Sequence, residues 1–393
     1  MRDRIRFFIV ATAVFVAACG AGSPPGGTIT NTGVPAIAGK AGSFDVVEID
    51  QAAQRLYVAD RTDQGIDVFD TYAAPARYLK TIALNASPNG LAVAPDLQRV
   101  FVGTSNGSLV VVDTDPASPT ADKVVKVVPT GGKSADLIDY SPAMHTVFVS
   151  NGDGGSITSI DATAGVVKSH FAIGHPLEQP RFNPTDGMLY VTSPDADAVF
   201  MVDPGTGVIK STIKLDKCVP YGLAINPKLD QAVIACRGFV MRQSLRNTAD
   251  VEAFGQLTRG DVVSYDAVAD RFLVAAPAPA AASAVGIFGG NPIAYLTSVT
   301  TGAGGNSAAY DEANHLVYTP DIRSGRAGLA GFEPPRAGLD VISQLPSLGA
   351  LALVLAVVTL LLLWVGRWAD PVHRPAPVPA TPPPPIASTR ERA

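Results

Sequence analysis

The chain has 393 residues, a formal net charge of -5, 47% hydrophobic and 17% charged residues. That balance excludes a disordered polymer and gives no electrostatic reason to expect nucleic acid as a partner. With 37 glycines and 32 prolines and few long helical patterns, the composition favours a turn-rich all-β protein.

In chain order, residues 1–18 read as a secretory signal peptide. Arg2, Arg4 and Arg6 precede an apolar run from Phe7 to Ala18. Its end, Val16-Ala17-Ala18-Cys19 followed by Gly20, resembles the bacterial lipobox, which makes Cys19 a lipidation candidate; an ordinary cleaved signal with a chance cysteine is the other reading. Residues 19–27 then form a flexible tether rich in Gly, Ser and Pro.

A repeat occupies the next segment, 28–336. Writing "AINPKLDQAV" under "RFNPTDGMLY" exposes an Asn, Asp or small residue followed seven positions later by an apolar one. The anchors are Asp50, Ala94, Ser141, Asn183, Asn226, Asp266 and Asp311, and their partners are Tyr57, Phe101, Phe148, Tyr190, Val233, Leu273 and Tyr318. Seven copies recur at spacings of 40 to 47 residues. A third apolar run in several copies ends in acid, at Asp70, Asp113, Asp161 and Asp203, and a fourth run follows. Four short strands at this period predict a β-propeller blade, and seven of them predict a seven-bladed ring. The last copy shows only three strands, whereas "TITNTGVPAIAG" stands unattached before the first. The N-terminal strand is therefore expected to close blade seven, because an open ring leaves a sheet edge and an apolar blade face uncovered.

"RLYVAD", "RVFVGT", "TVFVSN" and "MLYVTS" resemble the YVTN-type seven-bladed β-propeller family of exported bacterial proteins, and the resemblance extends over almost all of 28–336. It implies a fold, an exported location and a surface or binding role; it implies no particular activity.

Blade five lacks the acid at the end of its third strand and holds Cys218 and Cys236 on either side of a hairpin turn. The hairpin sets the two positions opposite each other, so a disulfide is expected in an oxidising compartment, with two buried thiols as the alternative.

Residues 347–365, "SLGALALVLAVVTLLLLWV", carry no charge over a length that spans a bilayer core. Trp364, Trp368 and the arginines that follow place the tail, 366–393, in the cytoplasm and the repeats outside. "LPSLGALALVLA" also weakly resembles bacterial C-terminal sorting signals, but the long Pro-rich tail favours a permanent anchor, the tail itself serving as a spacer or a ligand for a proline-binding module.

No catalytic motif stands out: there is no G-x-S-x-G, H-E-x-x-H, C-x-x-C or P-loop, and the five histidines are scattered. One pattern does emerge. Five residues before each anchor lies Asp45, Asn89, Asp136, Glu178, Tyr221, Asp261 or Asn306, all polar and four of them acids. Strict alternation puts these on the same strand face as Val47, Leu91, Ile138, Leu223 and Val263, so they are expected to ring one mouth of the central channel above an apolar lining. Such carboxylates raise one another's pKa or recruit a cation, calcium being the natural choice for oxygen ligands. Strand starts are also polar for turn reasons alone. Two functions follow. One is a membrane-tethered binding module that engages an envelope protein or glycan; the other is a metal-dependent hydrolase or lyase using the acidic mouth. A haem-bearing redox role lacks converging His ligands.

Overall fold

In the computed structural model the described residues are 30–33, 42–278, 283–322 and 328–334. Seven four-stranded antiparallel sheets follow one another around a central axis. The first strand met, β1 (Thr30–Gly33), belongs to the last sheet. Blade one is β2 (Phe44–Asp50), β3 (Arg55–Asp60), β4 (Gly65–Asp70) and β5 (Arg77–Ala83). Blade two is β6 (Pro88–Ala94), β7 (Arg99–Thr104), β8 (Ser108–Asp113) and β9 (Lys123–Pro129). Blade three is β10 (Ile138–Ser141), β11 (Thr146–Asn151), β12 (Ser156–Asp161) and β13 (Val166–Ala172). Blade four is β14 (Pro180–Asn183), β15 (Met188–Ser193), β16 (Ala198–Val202) and β17 (Ile209–Lys214). Blade five is β18 (Pro220–Asn226), β19 (Gln231–Cys236), β20 (Val240–Ser244) and β21 (Val251–Phe254). Blade six is β22 (Val263–Asp266), β23 (Arg271–Ala276), β24 (Ala284–Gly289) and β25 (Ala294–Thr300). Blade seven is β26 (Ala309–Asp311), β27 (Leu316–Asp321) and β28 (Gly328–Phe332), completed by β1 as its outermost strand.

The anchors recur because they cap turns. Asp50 Oδ1 accepts the Ala53 amide at 2.9 Å, Asn226 Oδ1 accepts those of Lys228 and Leu229, and Asp266 and Asp311 do the same in blades six and seven. The acids closing the third strands act alike one hairpin later: Asp161 Oδ1 takes the amides of Thr163 and Ala164, and Asp203 Oδ1 those of Gly205 and Thr206. Short acceptors of this kind satisfy turn amides that no ladder reaches.

Between the blades lie seven apolar clusters, one per interface. Tyr57 and Val68 of blade one pack with Val100 and Val110 of blade two, and Leu273 and Ile287 of blade six with Val317 and Phe332 of blade seven. The last interface joins Tyr318 and Leu329 of blade seven to Val47, Leu56 and Phe69 of blade one. Each sheet therefore buries its faces only against neighbours, so the core is a ring that needs closing. Closure comes from β1, which pairs antiparallel with β28 from Thr30↔Gly331 to Gly33↔Gly328. The Thr32 hydroxyl also donates to the Ala76 carbonyl of blade one at 2.7 Å.

Among the described residues no helix is long and apolar enough to cross a membrane. The expected signal peptide 1–18, Cys19, the tether 19–27, the helix 347–365 and the tail 366–393 lie outside the described residues.

Candidate functional site

The sequence expectation of a strictly alternating inner strand needs correction. Register shifts interrupt the inner strands between Phe44 and Val47, between Pro88 and Leu91, and between Pro220 and Leu223. Blades three and six carry the same irregularity: the Asp136 amide donates to the Ser150 carbonyl while the Ser150 amide donates to Leu137, and Asp261, Ala275 and Val262 repeat it. A bulge reverses the parity of everything after it. Val47, Leu91 and Leu223 accordingly turn into the blade interfaces rather than the channel. The channel beyond the mouth is polar instead.

Of the seven sequence positions, the four acids act on one another electrostatically, and Asn89 and Asn306 bridge to the neighbouring blades. Asn89 Nδ2 donates to the Ala135 carbonyl (3.0 Å) and to Ser134 Oγ (3.2 Å) of the next blade. Asn306 Nδ2 donates to the Phe44 carbonyl at 3.3 Å, and the adjacent Ser307 hydroxyl donates to the Asp45 carbonyl at 2.7 Å. The Tyr221 carbonyl accepts the Thr192 hydroxyl, and its phenol oxygen accepts Arg237 Nη2 at 3.1 Å. Two glycines let the inner strands close up: a Cβ on Gly90 would stand 2.3 Å from the Asp136 carbonyl, and one on Gly222 2.0 Å from that of Asp261. Gly152 leaves the room that the Asp136 carboxyl occupies.

Arg61, which the repeat pattern did not single out, enters this ring from the end of the second strand of blade one. Its guanidinium forms an ion pair with Asp45 and donates to Asn89 Oδ1 and the Pro88 carbonyl, both at 3.3 Å. The pattern missed it because it occupies the turn between β3 and β4, outside the inner strands.

The four acids feel one another. Burial raises the Asp45 carboxyl well above its ordinary range, opposed by the Arg61 charge and reinforced by Asp261 and Asp136. Burial, then the charges of Asp136, Asp261, Asp45 and Asp153, raise Glu178 to about 8. Asp261 rises to about 6 and Asp136 rises too, in both cases through burial set against the Arg61 charge. Four carboxyls and the Arg61 guanidinium thus share one electrostatic environment. Among the described residues no three His, Cys, Asp or Glu side chains are grouped to hold a metal ion.

Beyond the strand starts, polar side chains link the inner strands of several blades. Gln179, buried at 1% exposure, accepts the Leu223 and Val263 amides on Oε1 (2.8 and 3.0 Å) and donates from Nε2 to the Val263 carbonyl (3.0 Å). Arg181 extends the bridge, donating to the Ile138 carbonyl of blade three at 3.3 Å and to the Val263 carbonyl of blade six at 3.4 Å, and it pairs with Asp139. Glu48 completes this layer; burial raises it to about 7, against the Arg181 charge. The bulge parity explains why sequence alternation passed over Glu48, Asp139 and Arg181.

Cys218 and Cys236 form a disulfide at the start of blade five, with their Cα atoms 4.7 Å apart. Both half-cystines are fully buried.

Neither a family model nor a curated protein matches the chain. Among solved structures it is similar to a chain of Kuenenia stuttgartiensis hydrazine synthase, at 13% identity and a TM-score of 0.61, over 75% of this chain and 98% of that one. At that identity the likeness is one of fold, and the fold is a seven-bladed β-propeller.

Proposed function

We propose that the protein is a membrane-tethered, extracytoplasmic interaction module of the YVTN type, whose acidic channel mouth engages a positively charged group on an envelope protein or an amino-bearing glycan. The observation that carries this reading is the convergence of Asp45, Asp136, Glu178 and Asp261 on one mutually coupled site around Arg61. The apolar ends of the chain support tethering, and a buried disulfide suits an oxidising compartment. Calcium is the competing occupant, and with it comes the hydrolase or lyase reading.

Melting the full-length protein with a trilysine peptide, with calcium and with neither separates these outcomes. Ligand at a hundredfold over its Kd adds about 2.7 kcal/mol. A peptide-dependent rise abolished by Asp136→Asn and Asp261→Asn supports the reading. A rise with calcium alone transfers the mouth to a metal, and no rise with either removes it as a cation-binding surface.

A further inference from the structure

We infer that the opposite end of the channel holds a second, separate ligand site, one for a short organic cation with two amino groups. The C-terminal ends of β2, β22 and β26 surround a cavity of about 240 Å³. This lies below the 300–1,000 Å³ typical of drug-sized ligands, so it suits a molecule of a few carbons. Gln51 of blade one closes it against blade seven: its Nε2 donates to the Tyr310 carbonyl at 2.6 Å and its Oε1 accepts the Glu312 amide at 3.1 Å.

Three carboxyl groups and two tyrosines form the chemically distinctive part of the wall, and no lysine or arginine lines it. The carboxyls divide into two groups. Asp266 and Glu312 lie side by side from blades six and seven, with Glu312 hydrogen-bonded to Asp266. Glu48 stands apart on blade one, and its carboxyl makes no hydrogen bond among the described residues; the Arg181 charge attracts it and that of Asp139 opposes. Among the described residues no three acids are grouped to hold a metal ion, and the charges acting on Glu48 are those of Arg181 and Asp139 rather than of Asp266 and Glu312. Two ammonium groups joined by a methylene stem can serve both ends of the cavity. Each end would meet a carboxylate, and the stem would run beside Tyr265 and Tyr310, whose rings suit both apolar stems and cations. This cavity lies at the C-terminal ends of inner strands, whereas the acids of the mouth lie at their starts.

The test is calorimetric titration of the full-length protein with 1,4-diaminobutane, with butylamine and with calcium chloride, repeated on Glu48→Gln, Glu312→Gln and Asp136→Asn. The expected result is diamine binding to the wild type, weaker binding of the monoamine, and an affinity at least about tenfold lower in Glu48→Gln and in Glu312→Gln. Asp136→Asn, at the other mouth, should keep the Glu48- and Glu312-dependent binding in full, with any loss limited to a second, independent site. Four results would overturn the inference: no diamine binding to the wild type, undiminished binding in both glutamine variants, preference for calcium, or loss confined to Asp136→Asn. The last would move the diamine to the acidic mouth. Circular dichroism shows whether each variant is folded, and Glu312, at the cavity's outer edge, tests the site even if Glu48→Gln does not fold.

Discussion

The Gln179 carboxamide bonds both the amide and the carbonyl of Val263, two blades away, each at 3.0 Å. With the Leu223 amide on the same oxygen, it ties blades four, five and six together on the channel side. Truncation leaves two buried amides without their partner, each costing about 1–3 kcal/mol if no other group replaces it, while the Val263 carbonyl keeps Arg181. Gln179→Ala is therefore expected to lose about 2–6 kcal/mol in chemical denaturation. Gln179→Glu keeps the acceptor but forfeits the donor to Val263 and adds a buried charge, so it should be no better tolerated.

Removing the closing strand should be far more damaging than removing a tail. Deletion of residues 28–38 strips the β28 edge of its ladder partner and takes away the Thr32 contact with blade one. Four paired residues at about 0.5–1.5 kcal/mol per hydrogen bond imply a loss of about 2–6 kcal/mol, read as a lower Tm and as faster proteolysis at blade seven. A deletion that melts with the intact protein would mean the ring closes without β1.

The disulfide encloses a sequence separation of 18 residues. In the loop-entropy account, closing a loop of this size contributes about 3 kcal/mol. Replacing both cysteines by alanine should lower stability by about that amount and remove the effect of reductant on the wild type. The four acids of the mouth lie on other blades, so binding of the trilysine peptide by the folded variant should persist.

Burial and like charge raise Glu178 to about 8 from an ordinary 4.5. The folded state thus holds its proton where the unfolded chain has already lost it. This stabilisation is fully present below about pH 4.5 and is lost as pH climbs through about 8. Glu178→Gln removes a carboxylate the fold resists ionising, so the variant should lose less stability than the wild type between pH 5 and 9, by about 1–3 kcal/mol. Thermal melts across that range check it.

The architecture was legible because its repeating residues have repeating jobs: Asp50, Asn226, Asp266 and Asp311 cap equivalent turns, so turn chemistry prints the period into the sequence. The four acids that act on one another, Asp45, Asp136, Glu178 and Asp261, could be picked out for the same reason, since they sit at one phase of that period. Two things were not. The bulges at the strand starts reverse the alternation, hiding Glu48, Asp139 and Arg181 behind an expected apolar lining. Arg61 reaches its own blade's Asp45 and the neighbouring blade from a turn, and Gln179 reaches Val263 two blades away; no local pattern records either contact.

The most direct test of the central claim, a single coupled acidic mouth organised around Arg61, is the carboxyl-carbon NMR titration of Glu178 in the full-length protein, wild type beside Asp136→Asn. The account expects titration near pH 8 in the wild type and a downward move in the variant, because one of the charges that raises Glu178 is gone. Titration near 4.5 that ignores the Asp136 substitution would contradict it, leaving the four acids as independent, solvated strand starts.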